Sequence, residues 1–372
     1  MLNALSLLDF ILYFKKKILN IKAAGENPSA AFFRKSVDFP PCGTFIIMVE
    51  SKWQQEVDTM INEKVMIGEG TEYPLNGLLT LPKNTDGPVP AVVFVHGSGS
   101  SNMDEKVGKL TPFKDLAEGL AKHGIASIRY DKRSFAHGFK MLMDKSKPIT
   151  VKEETIEDAI LATELLRKDP RIDAENVFII GHSMGAMLAP RIDAEGGKYK
   201  GLILMAGSPR RLEEIMLDQN EEVLRTTKGF VHWIVKKQVA KLSAMFDGLY
   251  ELSNEEAKKV KVGGGTTLYY FKEMGEHRAE DYLNNLEKPV LILQGEKDFQ
   301  ATEEKDFRAY QKLLAGKDNV TFQLYEGLNH AFVPSIYSEL MKAKQEYDVE
   351  QHIGESVIGD IAQWILKSCA GS

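Results

Sequence analysis

The sequence predicts an α/β protein built on a doubly wound, mostly parallel sheet that carries a helical cap insertion. Three observations lead there. Short apolar runs without polar alternation, such as Ala91-Val92-Val93-Phe94-Val95, recur along the chain, as expected of strands covered on both faces. Helical stretches separate these runs, which implies crossover connections and parallel pairing. Between Gly207 and Glu287 the alternation breaks, in a charged, helix-like segment too long for a loop.

The elements follow in order. Residues 63–68 and 76–81 are two strand-like runs bracketing Gly70 and Asn76-Gly77, an antiparallel opening pair. The strand 91–95 ends in His96-Gly97-Ser98-Gly99. A helix over 112–123 places Phe113, Leu116, Ala117 and Leu120 on one face and stops at Gly124. Residues 125–130 form a strand leading into Asp131-Lys132-Arg133, and 155–168 an amphipathic helix stopped by Asp169-Pro170. A strand then reaches Gly181, a helix covers roughly 184–195, and 201–206 is a further apolar strand. Strand and helix signals resume at 289–294, 303–315, 320–325 and 351–367.

The expected organisation is an N-terminal extension over residues 1–47, a core over 48–207 and 288–372, and the cap over 208–287. Residues 1–14 are apolar but interrupted by Asn3, Ser6 and Asp9, and shorter than the roughly 20 residues of a membrane span. Their lysines follow the apolar part, a poor fit to a secretory signal. Such a segment suits a membrane-surface helix or, more simply, chain outside a fold that starts at Met48. Stable membrane insertion is not expected. In the cap, Phe230, Trp233, Phe246, Tyr250, Tyr269, Tyr270 and Phe271 either line an acyl pocket or pack the insertion onto the core.

Of the 372 residues, 43% are hydrophobic and 27% charged, which sets disorder aside. The net charge of -6 and the lack of a basic patch interleaved with aromatics argue against nucleic acid as a partner. Cys42 and Cys369 sit in no Cys-X-X-Cys or His-rich setting, so neither a disulfide framework nor a zinc site is expected, and a cytoplasmic location is the default.

Gly181-His182-Ser183-Met184-Gly185 is a Gly-X-Ser-X-Gly pattern between a buried strand and small residues that open a helix. A serine on so sharp a turn is strained, and a Cβ two residues to either side would collide with the neighbouring strand and helix. Ser183 is therefore the candidate nucleophile. A hydroxyl needs a base, itself oriented by a carboxylate. His330 lies just past the strand 320–325, and the order nucleophile, acid, histidine points to it. For the acid, strand 289–294 leads into Gly295-Glu296-Lys297-Asp298. Asp298, 32 residues before His330, is favoured because two further residues bring it over the sheet edge, with Glu296 as competitor. Asp306 falls in the next helix and reads as a solvated surface charge. The oxyanion needs preorganised donors, expected to be the backbone amides of Met184 and Ser98.

These motifs, together with Arg129-Tyr130-Asp131-Lys132-Arg133 and Asn329-His330, resemble the α/β-hydrolase family, and more narrowly bacterial carboxylesterases related to the catalytic domain of prolyl oligopeptidases. The similarity covers about residues 65–207 and 286–368. It implies Ser183 as nucleophile, Asp298 as acid and His330 as base. Ser134-Phe135 stand where related esterases usually carry a glycine, and Asp131 and Arg133 read as a structural ion pair.

The expectation is a serine hydrolase that cleaves small-molecule esters with small to medium acyl groups through an acyl-enzyme, with neither metal nor organic cofactor. A peptidase, aminopeptidase or thioesterase on the same triad is the nearest rival, although no propeller-sized repeat accompanies it. A non-catalytic ligand-binding protein on the same fold is the rival from another class.

Overall fold

A computed structural model describes residues 60–83, 85–144, 148–263 and 265–370. The expectations for residues 1–47, and for a fold beginning at Met48, concern chain outside these. Among the described residues no helix is long and apolar enough to cross a membrane.

Eight strands form the central sheet: β1 (Met60–Ile67), β2 (Leu75–Pro82), β3 (Val89–Val95), β4 (Ala126–Tyr130), β5 (Ile172–His182), β6 (Leu202–Met205), then Val290–Gly295 and Val320–Tyr325. Their spatial order is β1-β2-β4-β3-β5-β6, followed by the last two in sequence. β2 runs antiparallel to both β1 and β4, and every other pairing is parallel. The chain passes from β3 outward to β4 and returns to β5 on the other side of β3. That reversal opens a crevice at the carboxyl ends of β3 and β5, where ligands bind in open α/β sheets.

The non-alternating strands are buried on both faces. Ala91, Val93, Val95, Ile179, Leu202 and Leu204 pack against α2 (Glu157–Lys168) and α3 (Met184–Ile192). The intervening Val92, Phe94, Phe178, Ile180 and Ile203 pack on the opposite side. There they meet Phe113, Leu116 and Leu120 of α1 (Pro112–Lys122) and Val357, Ile361 and Ile365 of the C-terminal helix Glu355–Ala370. Pro112 starts α1, where its missing N–H has no intrahelical partner to lose, and Gly124 at φ 78° ends it. Burial of these branched side chains is the main stabilising term, about 25 cal/mol per Å² of apolar surface.

Between β6 and the strand Val290–Gly295 the chain forms α4 (Leu212–Thr226), α5 (Gly229–Phe246) and α6 (Leu268–Gly275). Short helices Asn254–Lys259 and Ala279–Leu283 and a two-stranded ribbon, Lys261–Gly263 with Thr266–Thr267, complete the insertion. Val223 of α4 packs with Val235 and Val239 of α5 and with Leu340. Two short helices, Arg133–Ala136 and Gly138–Met143, follow β4 where no element was expected, and the C-terminal helix begins at Glu355, after the predicted 351.

The predicted ion pair between Asp131 and Arg133 is replaced by separate contacts. Asp131 accepts the Met103 N–H at 2.9 Å, and Arg133 forks onto Asp158 while its Nη1 donates to Glu157 at 3.1 Å. Arg133 opens a helix, so its side chain and that of Asp131 leave the backbone in different directions. Burial is the largest influence on Asp158 and pushes its carboxyl up to about 7, with Arg133 opposing.

Candidate active site

Ser183 sits between β5 and α3 at φ 55° and ψ -118°, a conformation rare for a residue with a side chain. The turn is closed by its flanking glycines. A Cβ on Gly181 would lie 2.3 Å from the Gly185 carbonyl oxygen, and one on Gly185 only 2.1 Å from that of Val95. The Ser183 N–H donates to the Met205 carbonyl at 2.8 Å, which ties the turn to β6. Its amide thus faces the sheet, and Met184 follows as the first residue of α3, whose leading N–H groups have no partner within the helix.

His330 and Asp298 come from the loops after the last two strands of the sheet. The His330 Nδ1–H donates to Asp298 Oδ2 at 2.7 Å, with both side chains buried. Asp298 also accepts from Gln294 Nε2 at 3.0 Å and from the N–H groups of Gln300 and Ala301 at 2.7 and 3.0 Å. Because an ionised carboxylate only accepts, this arrangement puts the imidazole proton on Nδ1 and leaves Nε2 as an acceptor. Glu296, the competing acid, points elsewhere: it accepts the Gly327 N–H at 3.0 Å and contacts Lys297.

Ser183, His330 and Ser98 line two adjoining chambers. One, of about 40 Å³, is walled by Met184, Met187, Ala206, Leu212, Ile215 and Met216. The other, of about 170 Å³, is bounded by Gly97, Ser100, Ser101, Val107 and Tyr347. Gln300 borders both, and its carbonyl accepts Gln219 Nε2 at 3.0 Å. The loop carrying Ser98 approaches so closely that a Cβ on Gly97 would stand 3.1 Å from that of Ser183. Gly97 N–H donates to Glu105 Oε1 at 2.7 Å, whereas among the described residues no acceptor is bonded to the Ser98 N–H.

Several buried charges around these groups escaped the sequence reading. Glu105 Oε2 stands 2.9 Å from His182 Nδ1, off the hydrogen-bonding direction, and His182 Nε2 donates to the His330 carbonyl at 2.9 Å. Burial opposes charge on both members of this pair, yet their mutual attraction prevails: the Glu105 carboxyl is lowered and the His182 imidazole raised from their ordinary values. Burial alone dominates at His96, which is pushed down to about 4. Lys132 is 1% exposed and donates to the Gly97 carbonyl at 2.9 Å. Of these, Glu105 lies in a segment with no motif of its own, whereas His182 adjoins Ser183 and His96 and Lys132 stand inside the motifs 96–99 and 129–133, where neither position carried an expected role.

One expectation needs correction. Asp306 is not a solvated charge: it is 2% exposed and accepts from Ser208 Oγ at 2.7 Å, Arg210 Nη1 at 3.3 Å and the Thr302 N–H at 2.7 Å. It lies in the helical segment Glu303–Phe307, which runs into the helix Arg308–Leu313, but it faces inward, and burial raises its pKa. Of the two alternatives for the seven aromatics of the insertion, pocket lining does not hold: none of them borders either chamber. Phe246, Tyr270 and Phe271 are packed in the core, and Phe230 and Trp233 face outward. Aliphatic and thioether side chains of α3 and α4 occupy the wall instead. Among the described residues no cluster of three or more His, Cys, Asp or Glu is placed to hold a metal ion.

The family model for the serine aminopeptidases S33 matches residues 86–334. Esterase EstD of Thermotoga maritima is 35% identical over 304 residues, covering 80% of this chain and 68% of the relative. Among solved structures, the Pyrococcus furiosus esterase PF2001 superposes with a TM-score of 0.50 at 15% identity, over 84% of this chain and 92% of that one. The Pyrococcus horikoshii acylaminoacyl peptidase gives a TM-score of 0.50 at 12% identity, over 90% of this chain and 44% of the other. These structural likenesses concern the fold.

Proposed function

The chain belongs to the serine aminopeptidase S33 family of α/β-hydrolases, and from that premise we propose that it hydrolyses carboxylic esters with small to medium acyl groups. Ser183 attacks the ester carbonyl while His330 Nε2 takes its proton and Asp298 holds the resulting imidazolium. The tetrahedral oxyanion is received by the N–H groups of Met184 and Ser98. Collapse expels the alcohol with the proton from His330, and water activated by the same imidazole releases the acid. The observation that carries this reading is the Asp298–His330 hydrogen bond at 2.7 Å beside a serine at φ 55° in a shared chamber.

In this reading the acyl group enters the chamber walled by Met184, Met187, Ile215 and Met216, and the alcohol the wider one. Methionines adapt to irregular shapes, which suits short chains of varying outline. Residues 208–287 act as the cap, supported by the chamber wall that Leu212, Ile215, Met216 and Gln219 of α4 supply. A cytoplasmic location is proposed on cysteine use alone.

The family description favours a second reading, an aminopeptidase on the same triad. An aminopeptidase needs a carboxylate to receive the substrate ammonium. Glu105 is the acidic residue lining the wider chamber, and it is engaged by the Gly97 N–H and by His182. That favours esters. Replacing Ser183→Ala tests the chemistry: hydrolysis of p-nitrophenyl butyrate should vanish, and parent turnover in a folded variant would end the proposal. Running aminoacyl-p-nitroanilides beside the esters separates the two readings, and absence of fluorophosphonate labelling at Ser183 would favour a binding protein.

A further inference from the structure

We propose that Lys132 is a positioning residue for the oxyanion hole, polarising the peptide between Gly97 and Ser98 so that the Ser98 N–H becomes a stronger donor. The inference rests on the proposed esterase reading, in which that N–H receives the developing negative charge. A lysine is almost never fully buried without a close partner. Lys132 is 1% exposed, its Nζ donates to the Gly97 carbonyl at 2.9 Å, and its ion partner, Glu154 Oε1, stands farther away at 3.6 Å. Glu154 is itself shared, accepting Tyr270 OH at 2.8 Å.

The Gly97 carbonyl and the Ser98 N–H are opposite ends of one amide. A cation bonded to the oxygen draws electron density through the conjugated C–N bond and leaves the N–H more positive, the cooperative strengthening of linked hydrogen bonds in a low-dielectric interior. Anchoring the loop does not require that ammonium. Glu105 holds the Gly97 N–H at 2.7 Å, and the Lys132 backbone N–H donates to the Ser101 carbonyl at 3.0 Å. What the side chain adds is a positive charge on the far end of the donor peptide, fixed before the substrate arrives.

The test compares Lys132→Met, Glu154→Gln and the double variant, which leaves no buried carboxylate without its cation. Ester turnover is read beside binding of a trifluoromethyl ketone, which forms an oxyanion on the serine, and of butyramide, which forms none. Losing a whole oxyanion donor costs about 10²–10³-fold in kcat, so weakening one should cost on the order of 10-fold. Lys132→Met and the double variant should lose kcat and ketone affinity in parallel, with KM and butyramide binding within about twofold. Glu154→Gln, which leaves the ammonium less neutralised, should keep or raise kcat. Unchanged kcat in the double variant, or equal loss of ketone and butyramide, would overturn the inference. If Lys132→Met fails to fold, the double variant decides, and if both fail, a fall in kcat on Glu154→Gln overturns it. Ester turnover surviving Ser183→Ala would instead defeat the underlying reading, whatever Lys132 does.

Discussion

His330 gives its Nδ1–H to Asp298 at 2.7 Å, and that carboxylate is also bonded by Gln294 of the preceding strand and by the N–H groups of Gln300 and Ala301 in its own loop. The acid therefore has one orientation and dictates one tautomer. Replacing Asp298→Asn offers Nδ1 an amide donor, moves the imidazole proton to Nε2 and removes the acceptor that Ser183 requires. Ester kcat should fall about 10³–10⁴-fold with KM little changed. Glu296→Gln, whose carboxylate faces Gly327 and Lys297, should stay within twofold. Steady-state kinetics on both variants decide between the two acids.

The turn that presents Ser183 has no room for a larger residue. Gly185→Ala would set a methyl 2.1 Å from the Val95 carbonyl oxygen, and backbone on both sides has to move. Overpacking of this kind costs about 1–3 kcal/mol or more, and it displaces Ser183 and the Met184 amide together. The variant should melt several degrees lower and lose fluorophosphonate labelling. Gly99→Ala meets no atom within 4 Å, although its φ of 93° strains any side chain, so it should lose stability and keep labelling.

Much of this arrangement was legible because burial on both faces removes polar alternation from a strand. Runs such as 91–95 and 289–294 announced themselves, and the carboxyl-end rule then placed Ser183, Asp298 and His330 on one edge. Charge partners were less legible. Arg133 reaches Asp158 across an intervening helix, and Asp306 turns inward to Ser208, pairings set by tertiary packing that leave no local pattern. The helices Arg133–Ala136 and Gly138–Met143 expose Phe135 and Phe139, so no apolar face marked them. In the insertion, helical character was legible without saying which side meets the core, so the aromatic residues stayed open between lining a pocket and packing; none lines the chamber, where α4 supplies Ile215 and Met216.

Ile215 and Met216 should set acyl-chain preference. Both border the smaller chamber beside Ser183, which holds about 40 Å³. Met216→Ala removes most of that wall's side chain, and each methylene accommodated in an apolar pocket is worth roughly 1–3 kcal/mol of selectivity. The variant should shift the optimum toward longer acyl groups, with kcat/KM for octanoate over acetate esters rising about 10-fold. A chain-length series that keeps the parent profile would place the acyl group in the wider chamber, beside Val107 and Tyr347.

Glu105 and His182 should make stability depend on pH in a defined window. The Glu105 carboxyl is lowered in the folded protein, so its contribution is present above the ordinary 4.5 and lost as pH falls through the depressed value. The His182 imidazole is raised, so its contribution is full below the ordinary 6.5 and lost as pH rises through the elevated value. Both conditions hold together between about pH 4.5 and 6.5, where the pair contributes most. Glu105→Gln keeps an acceptor for the Gly97 N–H but leaves His182 without its counterion. The melting temperature of the parent should exceed that of the variant most within this window and converge toward it above. A constant difference in melting temperature from pH 4 to 9 would show that Glu105 acts through packing and not through its charge.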